Sequence, residues 1–443
     1  MLEDLLIRFD GWPGLLAYAF APFAILAILI ASPIWIGKIF WIFCLGGFIV
    51  VFKYWQSWLD NRWLELTIGL WMGTQEFTTV FIQPPSQNAR SLAAMEAFFK
   101  NIHAMHTTKS EKNAYFEGNW YKHLTIEFHS IGGRVGIFAR LFKSDLSLFR
   151  QALIAHYPDC YITECDDPLG YLPMDWVRKT GVLKYEQMAG SDFALLKDDM
   201  YPTRTWRELQ ENGTIALFDP IPVLLSAFEA VLPNEHLVLQ FVIRPQISGP
   251  MTGDWSKAKQ KEAEKLKKEL ATNNDVEVTK FGTMALTREE QQLIQAVQQK
   301  INQGVIFQTK VRFMALSETN KAVNAYLGAA ANFFKQLDGL KNTYYPTDPT
   351  KTTKVSNMFP IFDNLYWKYE KYHRQERMYN AIRRRSWDSS GPWHIQTADA
   401  LAAMIHMPMT DLADMGVTMR IQSNFGLTQN AAPNGSLPLN LPT

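Results

Sequence analysis

The sequence lacks the short motifs that identify most nucleotide-using enzymes. No G-x-x-x-x-G-K-[ST] loop occurs, and no G-x-G-x-x-G follows a predicted strand, so the common phosphate-binding loops are excluded. The nearest match to a nucleophile elbow, "FHSIG" at 128–132, lacks the first glycine and lies in a predicted hairpin. We therefore expect neither enzymatic activity nor a cofactor.

Cysteine is scarce, which excludes a disulfide framework. Cys44, Cys160 and Cys165 form a small, odd set that fits a reducing compartment. His156 precedes the last two with H-x3-C-x4-C spacing, but the second half of a zinc site is missing. We expect cysteines packed in a strand rather than a metal site.

Two further patterns favour structural roles over chemistry. His103 and His106 are three positions apart on a predicted helix, without an acidic third ligand nearby, and we expect satisfied helix-end histidines. The Asp-Asp pairs at 166–167 and 198–199 are more typical of turns than of paired acid–base catalysis. No metal ligand is therefore assigned.

An excess of charge of either sign is also absent. The 44 basic and 43 acidic residues give a formal net charge of +1, which argues against a dominant nucleic-acid surface. The Lys-rich run at 257–270 is more typical of a solvated helix face than of a DNA- or lipid-binding site.

One long apolar tract stands out, from Leu15 to Phe52, and Lys38 is its only charged residue. A single span needs about 20 residues, so the tract is too long for one helix, and its acidic start without an A-x-A site is unlike a signal peptide. "SPIWIGK" at 32–38 supplies a turn at the midpoint. We predict a transmembrane hairpin within 1–60, with helices at about 14–32 and 37–56 and tryptophans near its ends. A buried hairpin of a soluble protein is the alternative.

The chain after the tract predicts an α+β fold, and its first unit covers 64–185. The predicted elements are a strand in 64–85, a helix at 91–105, a hairpin at 123–142 that turns at Gly132 and Gly133, a helix at 144–158 capped by Ser144, and a strand at 160–165. This order is close to a split βαβ unit.

A second unit with the same order covers 186–345, interrupted by a charged insertion at 246–285. Its predicted elements are a helix at 219–233, a central strand at 236–245, a helix at 288–301, a strand at 304–316 and a helix at 320–337. Thr287 and Glu290 form a capping-box signal before the third of these. The two units share short similar strings, and we predict that they are related.

The helical and irregular tail, 346–443, contains a basic–aromatic stretch at 366–387. Basic residues there alternate with Tyr and Trp, as in sites that contact nucleic acid or anionic lipid weakly. The candidate polyanion contacts are Lys368, Lys371, Arg374, Arg377, Arg383, Arg384 and Arg385. A partly buried helix that packs on the second unit, with its basic side in water, is an equally good interpretation.

Several stretches between 64 and 408 give the chain a resemblance to a known family. They include "QPPSQNARSLAAMEAFFKNIHAMH", "LTIEFHSIGGRVGIFAR", "DPIPVLLSAFEAVLPNEHLVLQFVIRP" and "IQTADALAAMIHMP". The chain resembles the membrane-anchored N-terminal region of conjugative DNA-transfer proteins of the type IV secretion kind, in which this region precedes an FtsK/HerA-type ATPase. The resemblance implies an oligomer with its soluble part in the cytosol, and no catalytic residue can be carried over.

The function expected from this resemblance is a non-catalytic platform in the inner membrane of a DNA- or protein-translocating machine. Since these 443 residues contain no motor motifs, we expect a separate translocation ATPase as partner. The candidate docking residues, in the predicted helix at 397–408, are Leu401, Met404, Ile405 and Met407. A membrane scaffold or envelope-remodelling protein that shares only the fold is the alternative.

Overall fold

The computed structural model describes much of the chain between positions 55 and 408. The described residues are 55–56, 58–59, 62–85, 90–106, 111–118, 120–170, 172, 187–209, 219–233, 235–247, 254–273, 287–317, 320–338, 342–347, 363–387 and 391–408. They divide into two compact units. The smaller unit takes the described residues up to 74 and those between 109 and 120, and the larger unit takes the others.

The described elements are a mixture of strands and helices. The strands are β1 (Phe77–Gln83), β2 (Leu124–Ile131), β3 (Arg134–Phe142), β4 (Tyr161–Cys165), β5 (Gln187–Leu195), β6 (His236–Pro245), β7 (Ile306–Ser317), β8 (Tyr344–Pro346) and β9 (His394–Thr397). The helices are α1 (62–74), α2 (Leu92–Ile102), α3 (Glu111–Glu117), α4 (Leu146–His156), α5 (Trp206–Leu209), α6 (Ile221–Glu229), α7 (Trp255–Asn273), α8 (Arg288–Ile301), α9 (Asn320–Gln336), α10 (Asp363–Arg383) and α11 (Ala398–Met404). The predicted α+β class is confirmed.

The nine strands among the described residues of the larger unit belong to one antiparallel sheet. Its order is β4-β1-β3-β2-β6-β7-β5-β8, and β9 pairs with the first residues of β7. The first four strands and the next four occupy equivalent places on either side of the β2–β6 pair. In the first half, α2 lies between β1 and β2 along the chain and α4 lies between β3 and β4, and both cover the sheet. In the second half, α6 lies between β5 and β6 and α9 lies between β7 and β8, in the same way. The strand β6, predicted to be central, pairs on both sides and is buried throughout.

The two faces of the sheet are covered by different elements. On the first face, the alternate apolar residues of the strands pack with α2, α4, α6, α9 and α11 in one continuous core. Phe98 of α2 meets Phe149 of α4 with ring centroids 5.6 Å apart. On the second face, Met378, Tyr379 and Ile382 of α10 join a smaller apolar cluster. The basic–aromatic helix therefore packs on the sheet.

The tight turns and caps test the local predictions. Gly132 and Gly133 connect β2 to β3 with φ of +60° and +77°, as predicted for a hairpin turn. The capping box of Thr287 and Glu290 is present at the start of α8. The predicted Ser144 cap of α4 is wrong, because the chain makes a short 3-10 turn there and Asp145 takes the capping position without a side-chain bond.

The predicted strand over 64–85 is correct only in its second part. Residues 62–74 form α1, and β1 starts at Phe77. An apolar run such as "LELTIGLWM" fits a helix as well as a strand, because its apolar residues follow neither period clearly.

The membrane prediction and the charged insertion have separate outcomes. Among the described residues, no helix combines the length and apolarity needed to cross a bilayer. The predicted spans at 14–32 and 37–56 lie, except for positions 55 and 56, outside the described residues. The insertion contains α7, whose Lys259 donates to Glu262 in the same helix and to Asp198 outside it, so part of its charge lies in contacts within the larger unit.

Candidate functional site: a buried ionic network

The polar residues of β2 define the site. Leu124, Ile126 and Phe128 point into the first-face core, while Glu127 and His129 lie on the second face. All eight residues of this strand are buried. Because a buried carboxylate is costly unless it is paired, Glu127 requires partners from other elements.

Glu127 is the first carboxylate of the network. It accepts from Arg385 Nε at 2.8 Å and Arg385 Nη2 at 2.9 Å. Gln240 Nε2 donates to it at 2.8 Å, and the ring Nε2 of His129 lies 2.8 Å away. An ionised carboxylate only accepts, so the His129 ring donates through Nε2. Its other nitrogen lies 3.1 Å from Nε2 of His236.

Asp167 is the second carboxylate of the network. Arg385 donates to it through Nη1 at 2.6 Å and Nη2 at 2.7 Å, and Arg140 donates through Nη1 at 2.9 Å. The same carboxylate accepts the backbone N–H of Leu169 at 2.9 Å, which is turn chemistry of the kind predicted for the 166–167 pair. One guanidinium, from Arg385, thus binds two carboxylates at once.

The electrostatics keep this network ionised. Burial alone would raise the pKa of Glu127, but Arg385 and the His129 ring hold that pKa well below its usual range. Burial and Arg385 likewise oppose each other at Asp167, and the pKa is lowered. Burial lowers the pKa of His236, so this ring stays neutral. Glu127 and Asp167 are therefore held as fixed negative charges.

Arg385 also has an unusual backbone conformation. Its φ of +50° is the only positive value outside glycine among the described residues. Arg385 N–H donates to the carbonyl of Ile382 and Ser386 N–H donates to that of Ala381, the two bonds of a Schellman helix end. Glycine usually occupies this position, and another residue costs about 1 kcal/mol there. The two carboxylates explain why an arginine is retained.

The neighbouring strands hold the same helix end. Arg312 of β7 donates to the carbonyls of Ala381 at 3.2 Å and Ser386 at 2.7 Å, and its Nε lies 3.4 Å from Asp192. Gln240 of β6 donates to the carbonyl of Ile382 at 3.2 Å. A cation and an amide at the last carbonyls satisfy groups that a helix C-terminus leaves without partners.

An aromatic–cationic contact lies beside the network. The Arg244 guanidinium is 4.1 Å from the ring centroid of Trp387, and the Lys310 ammonium is 5.5 Å from it. His123 also lies near Trp387, with ring centroids 6.4 Å apart. Burial, with the positive charge of Arg244, lowers the pKa of His123 to about 4.

The structure separates the predicted polyanion contacts. Arg385 is 3% exposed and bound to two carboxylates, so its assignment as a polyanion contact is wrong. Arg383 is partly buried and lies 3.6 Å from Asp167. Of the others, Arg377 and Arg384 are exposed, Lys371 and Arg374 are partly exposed, and the side chain of Lys368 lies outside the described part.

The predicted docking surface is also corrected. Leu401, Met404, Ile405 and Met407 are at most 3% exposed and belong to the first-face core. The helix α11 packs against α2, which supplies the apolar cover that the prediction assigned to a partner. A short helix with apolar residues on most sides is buried within its own domain.

The histidine and cysteine patterns have structural partners. His103 Nε2 lies 3.2 Å from the carbonyl of Gln246, and His156 Nε2 lies 3.1 Å from the side chain of Asn101. The Cys160 thiol contacts the carbonyl of Gln83 at 3.2 Å, and burial raises its pKa to about 12. No group of metal-ligand residues assembles within the described ranges.

Sequence reasoning missed the members of the network that come from strands. Glu127, Gln240 and Arg312 occupy equivalent central positions on β2, β6 and β7, where Glu127 pairs with Gln240 and Gln240 pairs with Arg312. The available signal was a polar residue at the middle of each of three strongly apolar strands. Such a residue is either solvent-exposed or matched across the sheet.

The fold and the network define an α+β protein whose central sheet is buried on both faces and whose polar face is closed by paired charges. The chain belongs to the family described as "Domain of unknown function (DUF8128)", which it matches over residues 70–418. No curated protein matches the chain.

Proposed function

We propose that this protein is a non-catalytic, membrane-anchored platform of a type IV secretion- or conjugation-like translocation machine. Its soluble part would face the cytoplasm and assemble as an oligomer with a translocation ATPase. The observation that carries the non-catalytic part is that both carboxylates bound by Arg385 have their oxygens occupied by donors of the protein. Glu127 and Asp167 each accept from several fixed donors, so neither has room for a substrate.

The apolar tract supports the membrane part of the proposal. It extends from Leu15 to Phe52 with a single charge, Lys38, and is long enough for two spans. A hairpin would place both ends of the tract on one side of the bilayer, and hence the sheet on that side.

The repeated order of strands supports two related halves. The order β4-β1-β3-β2 on one side of the sheet corresponds element by element to β8-β5-β7-β6 on the other. Each half follows the strand–helix–strand–strand–helix–strand pattern of a split βαβ unit, with further helices inserted. We infer a duplication that joined two such units through β2 and β6.

The resemblance to the N-terminal region of conjugative DNA-transfer proteins supports a role in a translocation machine. The resembling stretches span most of 64–408. In those proteins the region lies between the membrane and an ATPase, where a rigid sheet would fix their spacing.

Co-purification from native membranes tests the proposal. The tagged full chain should sediment with membranes and retain a translocation ATPase after mild detergent extraction, and the pure chain should not hydrolyse ATP. A variant that lacks residues 15–52 is the control and should leave the membrane fraction. Protease should cleave the larger unit only in permeabilised spheroplasts.

Each result has a defined consequence. ATP hydrolysis by the pure chain would contradict a non-catalytic role. Membrane binding and self-association without any ATPase would favour the scaffold alternative. Cleavage in intact spheroplasts would contradict the cytoplasmic orientation.

A further inference from the structure

For its size, the smaller unit has many exposed apolar side chains among its described residues. Twelve large apolar residues are exposed in the described part, and four of them lie in this short unit. They are Leu59, Trp63, Leu70 and Phe116, which are 42%, 48%, 59% and 65% exposed. Such a concentration on a small surface marks an interaction site rather than the scatter normal for protein surfaces.

Two helices of the unit, α1 and α3, hold Trp63, Leu70 and Phe116. Trp63 Nε1 donates to the carbonyl of Tyr115 at 2.8 Å, and the ring of Tyr115 lies 5.3 Å from that of Phe116. Just after α3, Gly118 has a φ of +65°. It lies so close to Thr67 of α1 that a Cβ would be 1.9 Å from the Thr67 carbonyl oxygen. The exposed rings of α1 and α3 therefore belong to one assembled surface.

The exposed apolar residues of α1 lie on one side of the helix. Trp63 and Leu70 are seven positions apart, so they share one side of the helix, with the partly exposed Leu66 between them. The charged residues of α1 are Arg62 and Glu65, which pair with each other at 2.8 Å near its start. No charged residue follows in α1. This side of α1 is thus an uncharged apolar strip with a tryptophan at one end.

The position of the unit in the chain indicates what covers this strip. Only nine residues separate Phe52, the last residue of the apolar tract, from Arg62. Ten steps along the chain reach at most about 35 Å when extended, and about 15 Å when helical. If the tract spans the bilayer, α1 begins close to the membrane surface, where tryptophan and leucine side chains enter the headgroup region.

We propose that the surface formed by Leu59, Trp63, Leu70 and Phe116 lies in the lipid headgroup region as an interfacial collar beneath the anchor. This inference rests on the proposed function, because it takes residues 15–52 to be inserted in the bilayer. The collar binds the boundary between headgroups and acyl chains through apolar contact, without recognising one lipid species. It would set the angle at which the chain leaves the membrane.

Site-directed spin labelling of the full chain in lipid vesicles tests the collar. Single cysteines are placed at Trp63, Leu70 or Phe116 in a background with the natural cysteines replaced by alanine, and each label is exposed to oxygen and to a water-soluble nickel chelate. Ala27→Cys, within the tract, is the reference for the bilayer. Glu65→Cys, on a different side of α1, is the matched control. Circular dichroism checks that each variant is folded.

The collar predicts that labels at 63, 70 and 116 collide more with oxygen than with nickel, between the values at 27 and 65. Water-like labels at all three, with a lipid-like label at 27, overturn the collar and leave the anchor intact. A water-like label at 27 overturns the membrane anchor itself. Labels at 63, 70 and 116 that neither reagent reaches show a protein contact, such as a second copy, and also overturn the collar.

Discussion

The two faces of the sheet are buried by different physical means. The first face is covered by five helices through side chains such as Phe98, Phe228 and Phe334, and its stability comes from apolar area removed from water. The second face has a smaller apolar cluster under α10, and at the end of that helix Arg385 pairs with Glu127 and Asp167, charges that water would otherwise solvate.

The two faces contribute differently to the size of the folding free energy and to the choice of one arrangement of strands and helix. Apolar contacts on the first face tolerate changes of shape if volume is kept. The paired charges on the second face are satisfied only in one register of β2, β6 and β7 and one position of α10. We expect the network to fix that arrangement, while the first face supplies most of the folding free energy. The following predictions test this division, from the largest effect to the smallest.

The largest effect is expected when the central cation is removed. Arg385→Ala leaves the buried Glu127 and the part-buried Asp167 without their main partner and should lower the free energy of unfolding by about 3–5 kcal/mol. Arg385→Gly should be less harmful than alanine by about 1 kcal/mol, because glycine relieves the positive φ. Arg384→Ala, at an exposed neighbour, should change it by less than about 0.5 kcal/mol in denaturant unfolding. Equal effects at 384 and 385 would contradict the network.

Acid should weaken the second face through a buried histidine. The pKa of His123 is about 4 in the folded protein, against about 6.5 when unfolded. The unfolded chain therefore binds more protons between these values, and stability falls as pH drops through this window, by about 3 kcal/mol in total. Unfolding measured from pH 7 to pH 4 should show a shallower decline for His123→Gln. His236 retains part of the slope, because its pKa is also lowered.

A cavity in the core of the first face should lower the free energy of unfolding. Leu401→Ala removes a fully buried side chain and should destabilise the chain by about 3 kcal/mol. Val223→Ala, on the exposed side of α6, is the matched control and should cost less than about 0.5 kcal/mol. If both changes left the unfolding midpoint unaltered, Leu401 would belong to a partner surface after all.

Two glycines should respond to alanine with opposite signs. Gly391 has a φ of +66°, and a Cβ there would lie 2.4 Å from Cγ of Asp192, so Gly391→Ala should cost about 2 kcal/mol. Gly328 lies inside α9, and a Cβ there would meet no neighbouring atom within 4 Å, so Gly328→Ala should stabilise by about 0.5–1 kcal/mol. Thermal unfolding of both variants checks the signs, and a stabilising Gly391→Ala would show that this approach to the network is not tight.

Local signals predicted much of the fold. The hairpin turn at Gly132 and Gly133, the bounds of β6 and the capping box at Thr287 follow from neighbouring residues alone, and all are present. The strand predicted near position 64 failed because an apolar run without a clear period fits two structures. The Ser144 cap failed because a 3-10 turn displaced the start of the helix by one residue.

The candidate site was predictable only in part. The stretch at 366–387 was recognised as either an interaction surface or a packed helix, and its composition could not decide between them. Arg383, Arg384 and Arg385 are identical side chains in succession, yet one is partly buried, one is exposed and one is fully enclosed. The exposure of each side chain follows from the direction in which the helix end turns. That direction depends on bonds from Gln240 and Arg312, which lie in distant strands.

By itself, the sequence determined the α+β class, the order of most strands and helices, and the apolar positions of the first face, because periodicity and capping are local. Only the tertiary structure decided that the alternating polar residues of β2 are buried rather than solvated. That outcome depends on α10 covering the second face and on Arg385 meeting Glu127, which is 258 positions away in the chain. A charge can be buried only where its partner arrives, and the partner's arrival is a property of the whole fold.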